Sequence, residues 1–287
     1  MSMLKSSKST SSYLLSFAKN LMALGYNPTT VKMAVSCTTE FLTHTNQPFE
    51  SISPADILKH RAYLQMRPKQ KGGGGLTENM INHHIYSLRL FFKYLIEINE
   101  LVVHPMNTLR FSKPTTPQRI VLTITEIQSL YEACENYKEK ALLGIYYGCG
   151  LRRTEGVRLT IKDVHFKDQL LYIRDGKGGK RRVVPMSQRV ADDLKNYILY
   201  ERYNPNKESA LLLNKARSGM SGNSAYKLFH ELLTRINITK EVSLHNLRHS
   251  IATHLLTNGM KVEQVRDFLG HKYLESTQVY TRVLQSV

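Results

Sequence analysis

A chain of 287 residues has room for two domains with separate cores, and 41% hydrophobic against 22% charged residues excludes extensive disorder. Forty Lys and Arg against 23 Asp and Glu give a formal net charge of +17 at pH 7, which calls for a polyanionic partner. No run approaches the ~18 uninterrupted apolar residues of a bilayer span, and without tryptophan no basic amphipathic helix carries Trp anchors for a membrane surface.

The basic, Ser-rich start MSMLKSSKSTSSYLL lacks the long apolar stretch and cleavage site of a signal peptide, and reads as a frayed arm able to lie on nucleic acid. Tyr13, Phe17, Leu21 and Leu24 then recur at helical steps, followed by Val31, Val35, Cys37, Phe41 and Leu42. Ser53 as N-cap, Pro54 in the first turn and Asp56 at the positive helix end open a third helix, with Ile57, Leu58, Tyr63 and Leu64 along it. The run 69–75, KQKGGGG, is a flexible loop by composition. Thr77 caps a long fourth helix, 77–98, whose buried stripe is Ile81, Ile85, Leu88, Phe92 and Leu95. Asn82, His83, His84 and Arg89 on that helix form either a nucleic-acid contact or a solvated polar face.

Residues 112–119, SKPTTPQR, contain two prolines and no apolar residue, the composition of a linker. The expected division is a domain over 1–111, a linker over 112–120 and a second domain over 121–287. Thr125-Glu126-Ile127-Gln128 has capping-box form and starts a helix there. Residues 170–173 and 181–184 are β-rich and joined by the glycine-rich turn DGKGGK, which predicts a hairpin. Helical periodicity resumes at Val190. The expected fold is mainly α: a four-helix N-terminal bundle, then a mostly helical domain with a small antiparallel β-sheet. Cys37, Cys134 and Cys149 are odd in number and widely spaced, so they are expected to be reduced, buried and small, in a cytoplasmic setting.

Four segments carry chemistry. They are Gly150-Leu151-Arg152-Arg153-Thr154-Glu155, the turn Gly176-Lys177-Gly178-Gly179-Lys180, His245-Asn246-Leu247-Arg248-His249, and Leu269-Gly270-His271 with Tyr280 nine residues on. Attack on a phosphodiester puts charge on non-bridging oxygens, which fixed arginines stabilise best because they are planar, always charged and bidentate. The leaving oxygen needs a proton donor, and a nucleophile that conserves the bond energy must form a covalent phospho-enzyme. Tyrosine can do so if neighbouring positive charge lowers its usual pKa of roughly 10. Other readings fit less well. The histidines 245, 249 and 254 lack the HExxH or cysteine-pair spacing of a zinc site, and His249 and His254 are expected to pack. GKGG is no phosphate-binding P-loop, and no carboxylate cluster suits Mg²⁺.

In order and approximate spacing these segments resemble the signature of the tyrosine recombinase (phage integrase) family, in its simple Xer-like form. GKGG and HxxR are weak signals alone; HNLRHSIATHLL joined to LGH and a tyrosine nine residues later is a specific one. The resemblance implies that Arg152 and Arg248 bind the scissile phosphate, that Glu155 orients them, and that Lys177 is the general acid, with Lys180 its rival. It implies that His245 and Arg248, one turn apart on one helix face, serve the phosphate and the proton transfers, that His271 contacts the phosphate, and that Tyr280 attacks to give a 3′-phosphotyrosine. It further implies a core-binding (SAM-like) N-terminal domain and a two-domain clamp around double-stranded DNA. A homotetramer would join two short inverted-repeat sites, with neither metal nor cofactor. Integration, excision, inversion and dimer resolution all stay open, as do a catalytically silent architectural DNA-binder and a type IB topoisomerase. Two departures stand out. Gly156 replaces an apolar residue usual in the family, which predicts looser packing of that helix. Seven residues follow Tyr280, so a further helix docking on the neighbouring protomer is expected to be absent or very short.

Overall fold

A computed structural model describes residues 10–68, 75–111, 119–174, 181–202, 210–271 and Thr277. The chain divides into two compact units, 1–116 and 117–287.

The first unit is built on α1 (Thr10–Ala23), α2 (Pro28–Thr45), α3 (Pro54–Met66) and α4 (Glu78–Glu97). Their starts follow capping chemistry. Asn27 accepts the Thr29 N–H at 2.9 Å, the Ser53 N–H and hydroxyl both donate to Asp56, and Thr77 accepts from Met80. The stripe Ile81, Ile85, Leu88, Phe92 and Leu95 is buried, and Phe91 joins it from the adjoining position. Phe17 meets Phe91 edge-on with ring centroids 5.3 Å apart, so α1 and α4 share one aromatic core. Leu24 departs from its expected place in the first stripe: α1 ends at Ala23 and Leu24 is 63% exposed.

The polar face expected of α4 is corrected in one residue. His84 is buried and cannot offer a surface contact, whereas His83 and Arg89 are exposed. His84 belongs to a polar cluster inside the unit. Nδ1 of His60 lies 3.2 Å from Nδ1 of His44, and Nε2 of His84 lies 4.0 Å from Glu40. Glu40 also accepts from Arg67 at 2.9 Å. Burial first, then the neighbouring His44 and His84, pushes the His60 pKa down to about 4.

The second unit opens on α5 (Ile124–Glu132). Its capping box is Thr123 with Glu126, two residues ahead of the expected Thr125. The Thr123 hydroxyl accepts the Glu126 N–H at 3.1 Å, and the Glu126 carboxylate accepts the Thr123 N–H at 2.7 Å. Both threonines have the spacing of the reciprocal pair, but the helix begins at Ile124, which leaves Thr123 at the N-cap and Thr125 already inside the first turn. Helix α6 (Tyr137–Leu143) runs on into a π-helical turn, Gly144–Gly148, ahead of the short α7 (Arg153–Arg158). The strands β1 (Val164–His165), β2 (Leu170–Ile173) and β3 (Arg182–Pro185) form an antiparallel sheet in that order, with Leu171 opposite Val184 and Ile173 opposite Arg182. Residues 175–180 of the expected hairpin turn lie outside the described residues. Helices α8 (Gln188–Asn196), α9 (Gly222–Arg235), α10 (Leu244–Thr257) and α11 (Val262–Leu269) follow. Leu142, Ile145, Tyr146, Leu171, Val184, Leu194, Phe229 and Leu247 lie in one core, so sheet and helices are a single packed body.

The loose packing expected at Gly156 is overturned. A side chain there would meet the Tyr146 ring at 2.7 Å, and the Tyr146 hydroxyl donates to the Arg153 carbonyl at 3.1 Å. The missing side chain is filled by a fully buried aromatic ring, so α7 packs tightly on the π-helical turn. Cys37 and Cys149 are buried and Cys134 is half-buried, all three as free thiols. Among the described residues no helix is long and apolar enough to cross a membrane.

Candidate active site

The start of α7 organises the site. Arg152 occupies the N-cap position, and its backbone N–H donates to Glu155 one turn on at 2.9 Å. That bond satisfies a helix-end donor and turns the carboxylate back toward the Arg152 side chain, whose Nη1 donates to Oε1 at 2.6 Å. Two further guanidinium groups converge on the same carboxylate. Arg182, at the head of β3, donates from Nη1 and Nη2 at 3.0 and 2.9 Å, and Nη1 of Arg248, from α10, stands 3.9 Å from Oε2.

Glu155 is 3% exposed. Burial alone would raise its pKa, but the Arg182 and Arg152 hydrogen bonds outweigh it and hold the carboxyl at about 2. One carboxylate against three guanidinium groups leaves an excess of positive charge in a site largely closed to water. Such a cluster suits an anion whose charge increases during reaction.

Backbone carbonyls hold the arginines from the other side. Arg248, 1% exposed, donates to the Gly150 carbonyl at 2.5 Å and to the Leu269 carbonyl at 2.7 Å. Arg152 donates from Nη2 to the Gly270 carbonyl at 3.2 Å. Gly270 ends α11 with φ +65°, a left-handed conformation that favours glycine. A side chain there would also come within 2.6 Å of the Arg182 stem. The Leu269-Gly270 step therefore both stops a helix and lets β3 approach.

His245 sits at the exposed start of α10, one turn before Arg248. Lost hydration on its protein side, then Arg248, Arg119 and Arg152, lower its pKa despite the opposing pull of Glu155. His271, half-buried, pairs through Nδ1 with the Thr277 hydroxyl at 2.8 Å. Burial and then Arg248, Arg152, Arg119 and Arg182 push its pKa down to about 3, so its imidazole is neutral near pH 7. A neutral ring in a cationic site can donate one hydrogen bond without adding charge. His249 packs its ring on His245, centroids 4.4 Å apart, and meets Arg119, while His254 pairs with the Tyr147 hydroxyl at 2.9 Å. Both have the packing roles expected of them.

The structure thus brings Arg152, Glu155 and Arg248 together, with His245 and His271 within the influence of the same charges. Lys177, its rival Lys180 and Tyr280 lie outside the described residues. Sequence reasoning missed Arg182 and Arg119. A signal for Arg182 was present: strand alternation puts it on the same side as buried Val184, and a charge at a core-facing strand position needs a partner. Arg119, at the end of the polar linker run, carries no such signal. Among the described residues no group of three or more His, Cys, Asp or Glu side chains is arranged to hold a metal ion.

The sequence pattern describing the phage integrase family matches residues 121–286. The chain is 32% identical to tyrosine recombinase XerD of Oceanobacillus iheyensis, over 83% of this chain and 80% of that protein. It is 28% identical to tyrosine recombinase XerA of Pyrococcus horikoshii, over 95% of this chain and 90% of that one. Among solved structures, the Tn1549 transposon integrase in complex with transposon right end DNA aligns with a TM-score of 0.75. It covers 93% of this chain and 94% of that one at 19% identity, a likeness of fold.

Proposed function

Because the chain belongs to the phage integrase family and is a tyrosine-type site-specific DNA recombinase, we propose that it cuts and rejoins double-stranded DNA through a 3′-phosphotyrosine formed on Tyr280. The observation that carries this reading is the convergence of Arg152 and Arg248 on buried Glu155, from two segments far apart in the chain. That cluster offers fixed positive charge without a metal, which is what phosphoryl transfer to a side-chain hydroxyl demands.

In this mechanism the Tyr280 oxygen attacks the scissile phosphorus while Arg152 and Arg248 take up the charge on the non-bridging oxygens. The P–O bond to the 5′ oxygen breaks, and Lys177 gives that oxygen a proton. His271, neutral and tied to Thr277, donates to the phosphate, and His245 takes the proton that Tyr280 gives up as its oxygen bonds to phosphorus. One phosphodiester is exchanged for one phosphotyrosine ester, so a free 5′ hydroxyl from another strand can reverse the step without ATP or water. The +17 charge supports binding along the DNA backbone, with strong salt dependence. Two short inverted-repeat sites held by four protomers are the arrangement in which strands would exchange.

The test uses nicked duplexes tiled across the genomic DNA flanking the protein's own gene, with any inverted repeats taken first. Wild-type protein is expected to form an adduct that survives a denaturing gel, and Tyr280→Phe to bind equally well and form none. Tight binding with no adduct on any duplex would replace this reading with a non-catalytic DNA binder. An adduct retained by Tyr280→Phe would move the nucleophile to another residue.

A further inference from the structure

We propose that Arg182 is a positioning residue of this active site: by occupying both oxygens of Glu155 it fixes the carboxylate that orders Arg152 and Arg248 for the scissile phosphate. The assignment rests on the function proposed above and names a residue outside the four motifs that point to it.

Arg182 heads β3 and turns inward with Val184. Its two terminal nitrogens both donate to Glu155, its Nε is buried without a partner among the described residues, and its stem occupies the space left by Gly270. Taking a guanidinium out of water is expensive, and an apolar residue would serve a core-facing strand position better if packing were the only demand. The arrangement uses that charge in a specific way. Glu155 has two oxygens and three cationic neighbours. With Arg182 on both oxygens, the Arg152 side chain on one and the Arg152 backbone N–H on the other, Arg248 stands at 3.9 Å. Without Arg182 the carboxylate would be tied to Arg152 alone, and its placement beside Arg248, which the Gly150 and Leu269 carbonyls hold from the other side, would no longer be fixed. Both terminal nitrogens of Arg182 are engaged with Glu155, so its role is exerted through the carboxylate on the other two arginines.

The experiment measures adduct formation by the full chain on the nicked duplex that wild type cleaves, at saturating DNA, together with the Kd for that duplex. Arg182→Gln is expected to slow adduct formation at least tenfold with Kd unchanged within twofold, and Arg182→Lys to recover only part of the rate. The Arg182→Gln rate should also fall more steeply than wild type from pH 7 to pH 5, because Glu155 then takes up a proton more readily. In a Glu155→Gln background, adding Arg182→Gln should slow the reaction by less than twofold, since the group it acts through is already gone. A wild-type rate in Arg182→Gln overturns the proposal, as does a tenfold loss that persists undiminished in the Glu155→Gln background. If Arg182→Gln does not fold, Arg182→Lys with and without Glu155→Gln decides by the same ratios. Failure of the unsubstituted protein to form any adduct overturns the functional reading itself, and is distinguishable because that arm contains no substitution.

Discussion

The Tyr146 ring fills the space in front of Gly156, standing 2.7 Å from where a side-chain carbon at that position would lie. Tyr146 is fully buried and anchored by its hydroxyl to the Arg153 carbonyl, so it has little room to retreat. Gly156→Ala is therefore expected to destabilise the protein by about 1–3 kcal/mol in urea unfolding, and to slow DNA cleavage by shifting α7 and its Glu155. Tyr146→Leu in the same chain should recover part of both losses. Unaltered stability of Gly156→Ala would mean that the ring gives way.

Arg152 and Arg248 should separate in stability while agreeing in chemistry. Each substitution to Ala is expected to slow adduct formation by about 10²–10³-fold at saturating DNA, the usual effect of losing one donor to a developing oxyanion. Arg248→Ala also strips two buried carbonyls and a buried carboxylate of a partner, and should lower unfolding free energy by about 3 kcal/mol or more. Arg152 is 22% exposed at its side chain, and its loss should cost about 1 kcal/mol. Cleavage at the wild-type rate would remove the substituted residue from the site.

The histidine cluster in the first unit predicts a pH dependence of folding. The folded His60 pKa is about 4 against 6.5 for the ordinary side chain, so between these values the unfolded chain binds more protons. Stability is then full above pH 6.5 and falls as the pH drops toward 4, by roughly 3 kcal/mol in total from this one group. Hydrogen exchange of α3 and α4 amides at pH 7 and pH 5 reads this directly. His60→Leu, whose side chain can still pack on Phe41, should show a flatter profile. Equal slopes in the two proteins would remove His60 as the source.

Much of the architecture was legible because short-range rules set it. The stripe from Ile81 to Leu95 and the caps Ser53 and Thr77 lie where periodicity and helix-end chemistry put them. The misses come from where a helix begins and from what faces its buried side. Thr125 lost the cap to Thr123 because the helix begins at Ile124, where Thr123 and Glu126 close the reciprocal pair. His84 follows polar Asn82 and His83 in sequence but stands one turn from Ile81 and Leu88 on the buried side of α4, where Glu40 and His60 from other helices make a polar interior for it. Of the site, Arg152, Glu155 and Arg248 were readable as motif letters. Their meeting with Arg182 and with the carbonyls of Gly150, Leu269 and Gly270 joins positions remote in sequence, which no local pattern encodes.

Those carbonyls have a consequence for when the protein can act. Arg248 takes one of its handles 98 positions back in the chain, at Gly150, and the other 21 positions ahead, at Leu269. Its guanidinium is thus aimed only after α10, α11 and the turn before α7 have all docked. Until those elements have docked, Arg248 lacks both of the carbonyls that aim it. Assembly of the proposed cleavage site is therefore tied to completed folding of the second unit.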